Sequence, residues 1–498
     1  MTRFWEILPG AAAWGTLLLL VALSWQAPVV VVVFILLYDL YWLLKLVYLF
    51  FHLRFSFARM RANMKLDWLE KLKSEERGKW EDVHHLVIFP MYHEPHNLVR
   101  ESFLSLIHSN YPKDRLFVAL GVEERGGAGD AEVAEKIKEE FGSSFKSFSI
   151  VTHPDAIEGE LKGKSANVTW AARHIVREVI DPSGVPYARI IVSVFDMDSR
   201  TERDYFGVLT YAFLTSPHPD RSSYQPIPLF INNVHYAPFF ARLVGFSSSF
   251  WQLMQESREE QLVTFSSHSM PLQAVVDIDY WDTNIVSEDS RIFFKCFSHY
   301  GGDWRVVPLF YPIYMDAIEG ATLRQAAASL YKQQRRWAWG AENISYLARD
   351  FREKGKTIPR RTKWFWLWTL FEGSYSWATS SFVIFFFGWL PNLIGGSAFT
   401  SSVLSYNLPR FTGWILNIGS VGIIASAFFS VILLAPRIKG FKAWHYTLYL
   451  LQWIATPVIF VFFSSLPAID GLTRLMLGGK FRLGYWKTPK AGARPVAQ

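Results

Sequence analysis

Ile190-Ile-Val-Ser-Val-Phe-Asp196-Met-Asp198 is a short apolar run that closes on two carboxylates one residue apart. A run of this kind, rich in branched and aromatic residues and bounded by polar ones, reads as a strand buried on both faces. Similar runs lie upstream at Leu86 to Pro90 (LVIFP), Leu116 to Val122 (LFVALGV) and Ser147 to Val151 (SFSIV). Helix-like stretches, among them Glu132 to Glu140 and Ser165 to Val179, alternate with them. Such alternation makes a mostly parallel sheet covered by helices, and these sheets bind ligands beyond the carboxyl ends of their strands. The rule gathers Tyr92 and Glu94 after the first strand, Glu123 and Glu124 after the second, and Asp196 and Asp198 after the fourth.

Around this domain the composition changes. The chain has 498 residues, 50% of them apolar, and the apolar ones are unevenly spread. Residues 52 to 363 mix charged and apolar residues as soluble domains do, whereas both flanks hold long runs almost free of charge. Gly10 to Trp25 and Val29 to Phe51 precede the domain; Trp364 to Leu390, Phe411 to Leu434 and Trp444 to Leu466 follow it. Spanning a bilayer takes about 20 apolar residues, so each is a candidate membrane helix. A second apolar run follows the first almost at once, which favours retained anchors over a cleaved signal peptide. Asp39, Lys45 and Glu372 fall inside the runs, where a charge faces a helix partner or a polar cavity rather than lipid.

Basic residues set the topology. Arg54, Arg59, Arg61 and Lys65 on one side, and Arg349 to Lys363 on the other, place the central domain in the cytoplasm by the positive-inside rule. Arg437, Lys439 and Lys442 agree. The basic tail, Lys480 to Arg494, conflicts with three simple C-terminal spans, unless the stretch around Pro457 and Pro467 is re-entrant. These clusters beside anionic lipid account for the net charge of +7, and no nucleic-acid partner is expected. Cys296 is the sole cysteine, which excludes a disulfide framework and a thiolate metal site.

Three polar clusters then follow in order. Asp196 and Asp198, flanking one residue at a strand end, have the hard oxygens that grip Mg²⁺ or Mn²⁺; taken alone, they also fit a solvated turn. Glu288-Asp289 offers a carboxylate for general-base work, or an acidic helix start favoured by the dipole. Gln333-Gln334-Arg335-Arg336-Trp337 pairs planar guanidinium donors for phosphate oxygens with an aromatic face. The same residues also fit an amphipathic interfacial helix over 323 to 349.

Taken together, the set resembles the membrane-bound family 2 glycosyltransferases, whose pattern is DxD, then (T/E)ED, then Q(Q/R)xRW. Pro90-Met-Tyr92-His-Glu94 is similar to that family's P-x-Y-N-E segment, and Lys162, Lys164 and Asn167 sit where it has a K-x-x-x-x-N stretch. Phe265-Ser-Ser-His268-Ser269-Met resembles, more loosely, its acceptor-side F-x-G-T loop. Tyr485-Trp-Lys-Thr488-Pro-Lys490 is similar to the cellulose synthase gating loop F-x-V-T-x-K. Where the family has an aspartate reading uracil at the end of the second strand, this chain has Glu123 and Glu124.

The resemblance implies a fold and a layout. The fold is an α/β glycosyltransferase-A (Rossmann-like) domain with an α-helical transmembrane bundle. Two N-terminal helices occupy 1–52, the cytoplasmic catalytic domain 53–322, and interfacial helices 323–362. C-terminal membrane helices follow over 363–478 and a basic tail over 479–498. It also implies roles: Asp289, beside Glu288, as the base; Asp196 and Asp198 at Mg²⁺ or Mn²⁺ and the nucleotide, with Asp198 the expected direct ligand of the two. Tyr92, Glu94, Glu123, Glu124, Lys164, Asn167, Gln333, Arg335 and Arg336 would hold the nucleotide-sugar donor. Trp337, His268 and Ser269 would meet the acceptor. The expected reaction is inverting transfer of a sugar, most simply from a UDP-sugar, to a growing polysaccharide. A single transfer to a lipid or polyprenyl-phosphate acceptor stays open, as does a non-catalytic scaffold or transporter built on such a domain.

Overall fold

The run Leu86 to Pro90 is the middle of β1 (His84–Met91). In the computed structural model, which describes residues 2–75, 80–353, 357–431, 443–484, 486–488 and 490, β1 pairs in parallel with β2 (Leu116–Glu123) and β4 (Ile190–Val194). β2 pairs in parallel with β3 (Ser147–His153). These are the four strands read from the sequence. The rest of the sheet was not. It comprises β5 (Arg200–Thr201), β6 (Ser222–Phe230), β7 (Ser269–Pro271) and β8 (Arg305–Met315). The eight strands form one sheet in the order β3-β2-β1-β4-β7-β6-β8-β5, antiparallel at β4–β7, β7–β6 and β8–β5. Fold class is therefore α/β with a mixed sheet rather than a wholly parallel one.

Side chains of β1 alternate between two cores, as the two-residue period of a strand demands. Val87, Phe89 and Met91 pack beneath helices His96–His108, Gly127–Phe141 and Tyr205–Thr215. Leu86 and Ile88 face the helix Lys164–Ile175, in a core that continues without a break to Leu17, Val31, Trp366 and Leu472. One face of the sheet thus shares its packing with the long apolar helices.

Among the described residues, four helices are long and apolar enough to cross a membrane: Thr2–Gln26, Pro28–Asn63, Val403–Phe429 and Trp444–Leu477. Arg360–Phe385 with Phe387–Ile394, bent by 47°, makes a fifth if the pair is one span. The second helix runs to Asn63 rather than ending near 52, so Arg54, Arg59 and Arg61 lie on the helix itself. Arg437, Lys439, Lys442 and, in the basic tail, Arg494 lie outside the described residues.

The last segment meets the central part of the chain at both ends. Near its start, the Tyr449 hydroxyl lies 2.6 Å from His235 Nδ1, and Arg242 Nε donates to Gln452 Oε1 at 2.9 Å. Near its end, Arg335 pairs with Asp470 at 2.9 Å and Arg3 donates to the Leu475 carbonyl at 2.9 Å. Beyond this segment, Lys487 and Lys490 pair with Glu94 and Asp198, just past the ends of β1 and β4.

Asn167, buried on the helix that covers the sheet, donates from Nδ2 to the Gly121 carbonyl of β2 at 2.9 Å. A Cβ at Gly121 would sit 2.3 Å from Asn167 Oδ1. Gly121→Ala should therefore destabilise the domain by about 1–3 kcal/mol through overpacking. The effect is measured as a lowered melting temperature of the detergent-solubilised protein; an unchanged one would contradict the packing.

Candidate active site

A single cavity of about 1210 Å³ opens beyond the carboxyl ends of β1, β2 and β4. Of the residues expected at the site, Tyr92, Glu94, Glu123, Lys164, Asp196, Asp198, Glu288, Asp289, Gln333, Arg336 and Trp337 line it, joined by Gln334, which was not singled out. They arrive from strand ends, from loops after strands and from the first or last turns of helices. Lys164 opens Lys164–Ile175, Glu288 and Asp289 open Glu288–His299, and the arginines close Leu323–Ala338.

Lys164 is the electrostatic centre. Its Nζ lies 2.8 Å from Asp196 Oδ1, 2.9 and 3.1 Å from the two Asp289 oxygens, and 3.4 Å from Glu288 Oε1. Burial alone would depress this ammonium, but Asp196, Asp289 and Glu288 outweigh it and hold its pKa well above the usual lysine value. Burial also works against the charge on Asp196; Lys164, Lys490 and the Ser266 hydroxyl, 2.6 Å from Oδ2, keep it below the ordinary carboxylate range. Glu288 goes the other way. Burial and the neighbouring Asp289 push it up to about 7, with Lys164 and Arg336 opposing.

Asp198 belongs to a second cluster. Its Oδ2 accepts the Asp316 backbone N–H at 3.0 Å, and Lys490 is ion-paired to Oδ1. Burial and Asp198 push the Asp316 carboxyl up to about 7, against Lys490 and Arg200. Lys487 pairs with Glu94 at 2.9 Å and donates to the Tyr92 carbonyl. Burial raises the Glu94 pKa despite Lys487 and Lys490. Farther along, Glu123 is ion-paired to Arg125, whose guanidinium lies 4.0 Å from the centre of the Tyr92 ring.

Five expected residues are not on the cavity wall. Glu124 accepts the Asp155 N–H at 2.8 Å, and Asn167 binds β2. His268 is buried, with Nδ1 3.0 Å from the Phe265 carbonyl and 3.8 Å from Asp289 Oδ1. Burial lowers its pKa, with Asp289 opposing, so it backs Asp289 as a neutral ring. Ser269 lies inside β7, its hydroxyl 2.7 Å from that of Ser193. Arg335 points away, to Asp470. Trp337 alone of the three acceptor candidates faces the cleft, packed against Phe230 and Phe265 at centroid distances of 6.0 and 5.6 Å.

No protein-family profile matches the sequence, and no curated protein matches it. Among solved structures, the chain is similar to the mannosyltransferase PcManGT from Pyrobaculum calidifontis in complex with GDP-Man and Mn²⁺. The identity is 14% and the TM-score 0.39, over 81% of this chain and 99% of that one. It is also similar to S. aureus TarS in complex with UDP-GlcNAc, at 13% identity and a TM-score of 0.31, over 70% and 91% of the two chains.

Asp316 was not singled out from the sequence, although it follows an apolar run, Leu309 to Met315, much as Asp196 follows its own. Two prolines in that strand, Pro308 and Pro312, hid it. Lys487, Thr488 and Lys490 line the cavity, whereas Tyr485 of the same tail motif lies outside the described residues.

Because Glu288 titrates near 7 in the fold and near 4.5 when unfolded, folding takes up a proton in that window, and stability falls as pH rises through it. Glu288→Gln should flatten this slope and gain on the wild type at pH 8 relative to pH 5, read from melting temperatures. A steeper slope in the variant would refute the assignment.

Proposed function

We propose that this chain is an inverting glycosyltransferase of the glycosyltransferase-A class, embedded in a membrane. It moves a sugar from a nucleotide-diphosphate donor, most simply a UDP-sugar, to a hydroxyl acceptor. The observation that carries the reading is the convergence on one cleft of Asp289, Asp196 and Asp198 with Arg336 and Trp337. That set supplies each function an in-line displacement at an anomeric carbon requires. Asp289, held by Lys164 and backed by His268, takes the acceptor's proton as the new bond forms. Arg336, with the buried Gln334 amide beside it on the wall, neutralises charge that develops on the departing diphosphate. Trp337 offers the ring face against which a sugar packs.

Among the described residues no three His, Cys, Asp or Glu side chains stand close enough to hold a metal ion by themselves. The oxygen donor set nonetheless fits Mg²⁺ or Mn²⁺, which are held by one or two carboxylates while phosphates and water complete the shell. Asp316 Oδ1 is buried without a hydrogen-bond partner, and Asp198 Oδ1 meets the Lys490 ammonium, a cation in the place a metal ion would take. When bound, the ion neutralises the diphosphate.

The cavity runs on from the cleft between the long helices, past Trp42, Trp368, Trp377, Ser380 and Ser426. At 1210 Å³ it exceeds the range of about 300–1,000 Å³ usual for one small ligand, so it has room for donor and acceptor together. Its walls carry the Lys45–Glu372 ion pair at 2.7 Å, with the Tyr41 hydroxyl 2.8 Å from the same carboxylate oxygen. Hydroxyls, indoles and a compensated ion pair suit an uncharged polysaccharide. A second reading, a lipid acceptor, is favoured by Leu44 and Trp368, large apolar side chains that line the cavity and stay well exposed. Product length decides between them: a ladder of chains excludes single transfer.

Purified protein should release nucleoside diphosphate from one member of a panel of UDP- and GDP-sugars with Mn²⁺ or Mg²⁺, and Asp289→Asn should lower that rate by about 10²- to 10⁴-fold. Absence of both release and nucleotide binding would leave the scaffold or transporter reading. Arg336→Lys should lower the rate more than Arg335→Lys, since only Arg336 faces the cleft; the reverse order would move the leaving-group role to Arg335.

A further inference from the structure

Asp196 and Asp198 are one residue apart in sequence but answer to different partners. Both oxygens of Asp196 are engaged, Oδ1 by Lys164 at 2.8 Å and Oδ2 by the Ser266 hydroxyl at 2.6 Å. Asp198 turns to the other wall. Its Oδ2 takes the Asp316 N–H at 3.0 Å, and its backbone carbonyl accepts from Asn232 Nδ2 at 3.0 Å. That leaves Oδ1 facing Lys490. Asp316 directly follows β8, is more than nine-tenths buried, lines the cavity and has an oxygen without a hydrogen-bond partner. Glu94 has one such oxygen too, the other being paired with Lys487.

Buried carboxylates without donors are costly unless a cation serves them. Here one ammonium, that of Lys490, serves Asp198 and lies within electrostatic reach of Asp196, Glu94 and Asp316. It comes from the extreme C-terminal part of the chain, far in sequence from every carboxylate it meets. A divalent ion accepts two carboxylates and leaves its other positions to phosphate and water.

We propose that Asp198 and Asp316 together form the protein's half of a divalent-cation site, that Asp196 is not a ligand but part of the Lys164 cluster, and that the Lys490 ammonium and the cation are alternatives for the same two carboxylates. The proposal rests on the transferase reading in one respect: the remaining ligands are taken to be diphosphate oxygens and water. It separates two jobs that a DxD pair invites one to merge. Asp198 and Asp316 would hold the cation that offsets the charge of the donor's phosphates, while Asp196 helps hold Lys164 against Asp289.

The test is Mn²⁺ binding to the detergent-purified full chain, followed by the electron paramagnetic resonance signal of free Mn²⁺, first with Mn²⁺ alone and then with UDP added. Asp316→Asn and Asp198→Asn should each weaken binding by about tenfold or more, since loss of an outer-shell partner of a metal ligand alone costs about 10- to 100-fold. Asp196→Asn should leave binding close to wild type. Lys490→Gln, which removes a competitor, should tighten binding of Mn²⁺ alone. Wild-type affinity in Asp316→Asn, or a loss in Asp196→Asn equal to that in Asp198→Asn, would overturn the proposal. So would unchanged affinity in Lys490→Gln, a variant at a tail position whose folding is checked by size-exclusion profile. Sugar transfer that depends on Asp289 while Mn²⁺ binding ignores Asp316 sinks the cation assignment alone. Mn²⁺ binding with the expected pattern in a protein that transfers no sugar sinks the transferase reading alone.

Discussion

The buried ammonium of Lys164 is the interaction on which the cleft depends. Three carboxylates from separate parts of the chain, Asp196 after β4 and Glu288 and Asp289 at a helix start, lie within 3.4 Å of it. Without that charge they would repel one another at close range in a low-dielectric setting, and at least one would protonate or turn away. Removing one member of such a buried cluster costs about 3–5 kcal/mol, because it leaves uncompensated charge behind. The arrangement orients as well as stabilises. Two bonds from one ammonium to both oxygens of Asp289 fix the plane of that carboxylate, and the Thr264 hydroxyl, 2.5 Å from the Asp289 carbonyl, holds the backbone below it.

A second constraint ties the cleft to the long helices. Arg335 and Arg336 are neighbours on one helix but point to different places. Arg336 reaches the cavity wall, and Arg335 reaches Asp470, which also binds Arg474 at 2.7 Å and the Tyr331 hydroxyl at 3.2 Å. Next to Asp470 stands Gly471, where a Cβ would come within 3.1 Å of the Arg335 carbonyl. The absence of a side chain there lets the last helix press against the arginine helix, and Asp470 then fixes its rotation. In this way a helix apolar enough for a membrane sets the direction of a side chain in the cleft.

The tail adds a third. Arg482 pairs with Glu6 at 2.5 Å, and Glu6 with Arg3 at 2.6 Å, so the chain leaves the last helix pinned to the first. From there Trp486 lies under Lys332, with the ammonium 4.8 Å from its ring, and Lys487 and Lys490 reach Glu94 and Asp198. Cationic side chains thus enter the cleft from both the arginine helix and the C-terminal tail.

By itself the sequence determined the parallel half of the sheet, the long apolar helices and the grouping of strand-end carboxylates. Each of these is written locally, in continuous apolar runs of strand or membrane length and in polar residues that follow them directly. It did not show β6 or β8, because Pro226, Pro228, Pro308 and Pro312 interrupt both runs and pairing across a bulge at Gln225 to Ile227 tolerates them. The direction of individual side chains was likewise beyond it. Neighbours on a helix differ by about 100°, so a contiguous motif such as Gln333 to Trp337 must send residues to different surfaces, and only packing against Asp470 and Gly471 decided that Arg335 would leave the cleft. The pairing of Asp198 with Asp316 and Lys490 joins positions 118 and 292 residues apart (316 − 198 and 490 − 198). No local pattern encodes such a contact, because it exists only once β4, β8 and the tail have been brought to one end of the sheet.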